Sequence, residues 1–252
     1  MLKHTLATAA LLATVSAQAA VSLPSAATIY QQSFDSLANS GTANAFVNNS
    51  TLPGISLFTT ANAAVSTYRA DAGTSNTGAF YSYGAAFSNE RALGGIGSGS
   101  FTGYIALALV NNSALAFDSF TLSYNGEQWR NGGSTTAHTM AVEFGFGANF
   151  TSVVWTAAPS LSWTSPLFGA PAVAIDGNVA GLVPGLGGTV MLDWAVGNTL
   201  WVRWIEADNL GADHGLAIDN LSVSVTAIPE PGTTALLLAG LAAVGLLARR
   251  RA

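Results

Sequence analysis

The sequence predicts an all-β protein, a single antiparallel β-sandwich set between two segments that direct export and sorting. Three observations carry the fold class. Between residues 20 and 227 the apolar residues recur mainly with a period of two, as in half-buried strands. No run of about twelve residues there repeats with a helical period. Turn residues punctuate the runs: Gly41, Gly73, Gly78, Gly126, Gly132, Gly133, Gly187, Gly188 and Gly211, with a cluster over Gly94–Gly99. Many short strands with Gly, Asn and Ser turns fold as sandwiches, and about 200 residues fit one such domain.

The first element is an address. Residues 1–19 open with Lys3 and His4, continue through an apolar run from Leu6 to Val15, and end in Ala17-Gln18-Ala19. This three-part pattern predicts a signal peptide cut after Ala19 by signal peptidase. About ten apolar residues are too few to span a ~30 Å hydrocarbon core.

The body, residues 20–227, follows. In Phe117–Tyr124 the residues Phe120, Leu122 and Tyr124 alternate with Ser119, Thr121 and Ser123, and the strand is expected to stop at Gly126. Thr139–Phe146 and Thr199–Glu206 are further alternating or aromatic-rich runs. In Ala217–Thr226, Asp219, Leu221, Val223 and Val225 are read as one face of a strand. The opposite faces carry Ser, Thr, Asn and Gly, a neutral surface that does not repel polysaccharide.

Charge narrows the function further. Only 8% of the chain is charged, and residues 20–228 hold four arginines, no lysine and twelve acids. A nucleic-acid binder needs a basic face and is excluded. The chain has no cysteine, so disulfides, thiolate metal sites and a cysteine nucleophile are excluded too.

The last element, residues 228–252, holds Pro229-Glu230-Pro231, the uncharged run 232–248, and Arg249, Arg250 and Arg251. Seventeen helical residues span ~25 Å, the short end of a transmembrane helix, and a basic cluster keeps that end cytoplasmic. The order of these three features resembles the PEP-CTERM sorting signal of exported Gram-negative bacterial proteins. The resemblance implies recognition by an exosortase and anchoring in the inner membrane through the C-terminal helix. Processing would then deliver the protein to the cell surface or matrix, in association with exopolysaccharide and biofilm.

Within the body, residues 78–100, 122–133 and 212–223 resemble a recurrent bacterial extracellular domain without assigned activity. The run Gly215–Asp219 is similar to the closing strand of jelly-roll sandwiches, which implies a jelly-roll-like fold. Asn220 stands where the jelly-roll run has a second acid.

The candidate ligand-binding residues are Glu90, Arg91, Glu127, Trp129 and Arg130. Glu90 adjoins Arg91, and Glu127 stands three residues before Arg130. One reading pairs Arg91 and Arg130 with Glu127 and Glu90 across neighbouring strands. The other makes Trp129 an exposed platform for sugar rings, flanked by Arg130 and Glu127, although its position just past the strand places it in the core. Asp208, Asp213 and Asp219 offer hard oxygen ligands suited to Ca²⁺, without EF-hand spacing. The same residues read more simply as a turn. No cofactor other than a structural Ca²⁺ is suggested. His138 has no acid beside it in sequence, and no G-x-S-x-G elbow occurs. The reading is a non-catalytic exported surface protein. The alternatives are a carbohydrate-binding module, with or without Ca²⁺, and a secreted glycan hydrolase.

Overall fold

The computed structural model describes residues 20–228, together with Gly232, Gly240, Leu241 and Arg249. The expected signal peptide, the 229–231 tripeptide, and all but isolated residues of the expected span and arginine cluster lie outside the described residues. Among the described residues no helix is long and apolar enough to cross a membrane.

The strands are, in chain order, β1 (Val21–Leu23), β2 (Tyr30–Gln32), β3 (Asn44–Ala45), β4 (Ile55–Thr59), β5 (Thr67–Asp71), β6 (Ala79–Tyr83), β7 (Ala92–Ile96) and β8 (Gly103–Asn111). They continue as β9 (Phe117–Asn131), β10 (Thr139–Phe146), β11 (Thr156–Ala157), β12 (Trp163–Thr164), β13 (Val173–Ala174), β14 (Leu182–Trp194), β15 (Thr199–Glu206) and β16 (Gly215–Ala227). Sheet one runs β1-β8-β15-β10-β11, with β4 also on β8 and β12 also on β10. Sheet two runs β13-β9-β16-β7-β6-β5-β3, with β14 also on β9 and β2 also on β16. The all-β sandwich expected from the period-two pattern is therefore present.

Its core lies between the sheets. Phe120, Leu122 and Tyr124 of β9 and Leu221, Val223 and Val225 of β16 share one cluster with Leu200, Val202 and Trp204 of β15 and Ile105, Leu107 and Leu109 of β8. Each such side chain contributes about 1.5–3 kcal/mol of apolar burial.

Three expectations need correction. The pairing is not wholly antiparallel: β1 runs parallel to β8, and β5 to β6. Between β5 and β6 the chain leaves the sheet, passes against the Trp129 carbonyl at Gly73, and re-enters at the opposite end of the pair. Next, β9 does not stop at Gly126. It continues to Asn131 because the missing Cβ makes room for the Trp163 ring, which a side-chain carbon would meet at 2.5 Å. Finally, Asp219 does not share a face with Leu221. Asn220 has φ of 50°, and the register against β9 shifts between Asp219 and Ser222. This bulge reverses the alternation. Leu216 and Ile218 face the core before it, Leu221 and Val223 after it, and Ala217 lies in a separate outer cluster with Tyr81, Tyr83 and Trp129. Asp219 follows Ala217 to that outer side, where its carboxyl is 3% exposed.

Candidate functional site

Two central strands and one loop bring three acids together. Ala217 of β16 sits directly opposite Glu127 of β9, and Asp219 opposite Asn125, so the phase reversal at Asn220 delivers Asp219 beside Glu127. Glu90 enters from the loop before β7. One carboxylate oxygen from each of Glu90, Glu127 and Asp219 lies within 4.8 Å of the others. Glu127 and Asp219 are buried and Glu90 is half-buried.

Each acid has a distinct partner. The Trp129 Nε1–H donates to Glu127 Oε2 at 2.8 Å. Asn178 Nδ2 donates to Glu90 Oε2 at 2.5 Å, from a turn closed by the bond from Asn178 N to Asp176 Oδ1. Asn220 Nδ2 donates to Asp219 Oδ2 at 2.7 Å, while Asp219 Oδ1 is buried without a hydrogen-bond partner. Burial, reinforced by Asp219, Glu90 and Asp176, pushes the Glu127 carboxyl up to about 8 against the bond from Trp129. Burial, with Glu90 and Asp35, pushes Asp219 up to about 7. Three acidic side chains thus converge here, and no arginine among the described residues forms an ion pair with them.

The expected arginine pairs do not form. Arg91 donates to Ser82 Oγ at 2.8 Å, to the Ser82 carbonyl, and to the Ala85 carbonyl at 3.2 Å. Arg130 Nη1 donates to the carbonyls of Gly73 and Thr74 at 3.1 and 3.2 Å. Backbone acceptors close at hand take the guanidinium protons in both cases. The arginine–carboxylate bridge among the described residues is Arg203–Glu143, a directly opposed pair on β15 and β10. There Arg203 is clasped by Tyr104 and Trp155, each ring centre 4.0 Å from its guanidinium carbon.

Trp129 is not an exposed platform. It is 2% exposed, parallel to the Tyr83 ring at 6.2 Å, and covered by Gly177. Gly215 pairs with Arg130 and Leu216 with Gln128, which leaves Trp129 as the extra residue of a bulge, turned beneath the 172–181 segment.

The proposed set Asp208, Asp213 and Asp219 is also divided. Asp208 and Asp213 line an open cleft of about 370 Å³ with Asn76, Ser98 and Arg130, while Asp219 faces Glu90 and Glu127. Asp213 closes the expected turn by accepting from Asn209 N at 2.9 Å, with Gly211 at φ 97°. It also reaches His138 Nδ1 at 3.4 Å, so His138 does meet an acid, in space and not in sequence. The His138 and His214 rings lie 4.2 Å apart, tilted 34° to each other, and burial lowers both, His138 to about 4. Both rings are neutral at pH 7. Burial pushes Asp213 up to about 6.

Sequence reasoning found Glu90, Glu127 and Asp219 separately but did not unite them. It missed Asn178, whose Asp176-Gly177-Asn178 turn is a readable signal, and the His138–Asp213 contact, which links residues 75 positions apart and has none.

Comparisons with known proteins give the following. No curated protein matches the chain. Among solved structures, the CBM22-1 xylan-binding domain of Paenibacillus barcinonensis Xyn10C is 8% identical, with a TM-score of 0.28, covering 61% of this chain and 83% of that one. The Arthrobacter globiformis T6 isomalto-dextranase complexed with panose is 15% identical at TM-score 0.34, covering 78% of this chain and 32% of that one. The enzymatically active domain of Bacteriophage CBA120 tailspike protein 4 is 11% identical at TM-score 0.32, covering 75% and 21%. The chain thus spans under a third of the latter two. Residues 227–251 match the PEP-CTERM protein-sorting motif, and the chain carries the mark of an exported protein that exosortase recognises and that is held at the membrane before processing.

Proposed function

We propose that the sandwich is a non-catalytic component of the cell surface or matrix that binds exopolysaccharide in the cleft between the Gly97–Gly99 turn, Arg130 and the Asp208–Asp213 loop. The observation that carries the reading is the lining of that cleft. Arg130, Asp208, Asn76 and Ser98, which carry a guanidinium, a carboxyl, an amide and a hydroxyl, line one open space with Asp213, whose own carboxyl is turned to Asn209 and His138. Sugar hydroxyls donate to carboxylates and accept from guanidinium groups, so a ring with adjacent hydroxyls suits this set. Arg130 is held in place by two backbone carbonyls, which reduces the ordering that binding would otherwise require. The exosortase signal supports the same setting, at the cell surface.

Catalysis is not part of the proposal. The body's histidines are buried, packed against each other and neutral, and Glu127 lies beneath a covering turn. The test is retention of the purified mature protein on the host's own exopolysaccharide. Arg130→Ala should weaken retention roughly tenfold to a hundredfold, the value of a charged hydrogen-bonding group. Retention that is unchanged in Arg130→Ala and Asp208→Asn would discard the cleft.

A further inference from the structure

We infer that Glu90, Glu127 and Asp219 form a binding site for a divalent cation, and that Ca²⁺ is the ion it takes. The site lies apart from the Arg130 cleft and does not depend on polysaccharide binding.

Geometry comes first. The three carboxylate oxygens lie within 4.8 Å of one another. Oxygens bound to one Ca²⁺ ion can be at most roughly 4.6–5.2 Å apart, twice its bond length, so these three are close enough to share one. Mg²⁺ usually keeps several waters and takes one or two carboxylates, which makes a set of three favour Ca²⁺. An all-oxygen set built of three carboxylates suits a hard cation and offers nothing to a soft one.

The second observation is the Asp219 carboxyl. It is 3% exposed, it supplies one of the three oxygens, and its Oδ1 has no hydrogen-bond partner among the described residues. A buried carboxylate oxygen without a donor is costly, on the order of 1–3 kcal/mol or more. The backbone spends a bulge and a left-handed Asn220 to put it there. The guanidinium of Arg91, next to Glu90 in the chain, bonds instead to Ser82 and Ala85. Three acids brought together, one of them with a buried oxygen that no donor reaches, are matched by a 2+ charge.

Access is through Glu90. It is the half-buried member, and its partner Asn178 is exposed on the covering turn. The bond from Trp129 to Glu127 also places an indole beside the site, which provides a built-in reporter.

Terbium, a luminescent substitute for Ca²⁺, tests this on the full mature protein. Indole excitation should give saturable terbium emission that Ca²⁺ displaces, and Ca²⁺ alone should raise the melting temperature. Asp219→Asn and Glu127→Gln keep shape and remove charge, and each should weaken terbium binding about tenfold or more. Trp129→Phe should dim the emission while retaining the Ca²⁺-dependent thermal shift. Because the buried variants risk misfolding, Glu90→Gln, at the half-buried position, provides a third measure and should also weaken binding. Two results would overturn the inference: a wild-type melting temperature indifferent to both millimolar Ca²⁺ and chelator, or terbium affinity unchanged in folded Glu90→Gln and Asp219→Asn.

Discussion

The β9–β16 ladder has two unlike halves. From Phe117 to Ser123 against Ser222 to Ala227, Phe120, Leu122, Val223 and Val225 point into the core, and the outward residues are Ser and Thr. From Glu127 to Asn131 against Gly215 to Asp219, both faces are covered, and Glu127, Gln128, Asn131 and Asp219 are buried beside Leu216 and Ile218. The backbone pairing is the same in kind. What differs is the covering: residues 172–181 lie over the second half, with Ile175 N donating to the Trp129 carbonyl and Gln128 N to the Gly181 carbonyl. A half-wet strand needs only alternation, whereas a strand covered on both faces needs a named partner for every polar group.

Three substitutions test that difference, in descending order of effect. Trp129→Ala should cost about 3–5 kcal/mol, because it empties the space beneath the covering segment and removes the donor to Glu127. At about 2–4 °C per kcal/mol for a domain of this size, thermal unfolding should fall by roughly 10 °C. A change under 3 °C would mean the covered half is loosely packed and the comparison fails.

The second concerns Glu206 of β15, which extends the polar end into sheet one. Its Cγ fills the space over Gly95, where a Cβ would meet it at 2.9 Å. Burial and the nearby Asp213 raise its pKa well above the ordinary value. The folded state therefore holds this proton more tightly than the unfolded state does. Its contribution to stability is complete below the unfolded carboxyl range, about 4.3, and declines as pH rises above it. Denaturant midpoints measured from pH 4 to 9 should fall toward the alkaline end in the wild type. Glu206→Gln, which mimics the protonated form, should flatten that fall, and an unchanged profile would assign the slope to other groups.

The smallest effect is at the boundary between the halves. Asn220 occupies the left-handed region, so Asn220→Ala should cost about 1–2 kcal/mol, and Asn220→Gly should recover most of it. Equal stability of the two variants would show that the side-chain bond to Asp219, not the backbone, matters there.

The wet half was legible in the sequence because alternation is local. There Phe120, Leu122 and Tyr124 face the core as their alternation predicts, and in sheet one Thr199–Glu206 and Thr139–Phe146 become β15 and β10 with the expected limits. The covered half was not legible, because its determinants are distant in sequence. The charge pattern pairs Arg91 and Arg130 with Glu127 and Glu90 on neighbouring strands, yet carbonyls of Ser82, Ala85, Gly73 and Thr74 take them. Gly126 looked like a stop because nothing in the sequence indicates that the ring of Trp163 needs its space. Asp219 was assigned to the wrong face because one residue at positive φ inverts everything upstream of it. The acids of the candidate site were nonetheless all chosen from the sequence, since a chain with so few charges makes each one conspicuous.

The position of β16 has a mechanical consequence. The sorting motif starts at residue 227, the last residue of that strand. β16 is not an edge: β9 flanks its length on one side, and β7 and then β2 flank the other. Ladder hydrogen bonds run across the strands, so tension applied along β16 strains many of them together in shear. An edge strand under the same pull would have the bonds of one ladder alone to share the load. While the protein is tethered at the membrane, drag on the exported body reaches the strand best able to resist it, and the sandwich can bear load at the one point where it is tied.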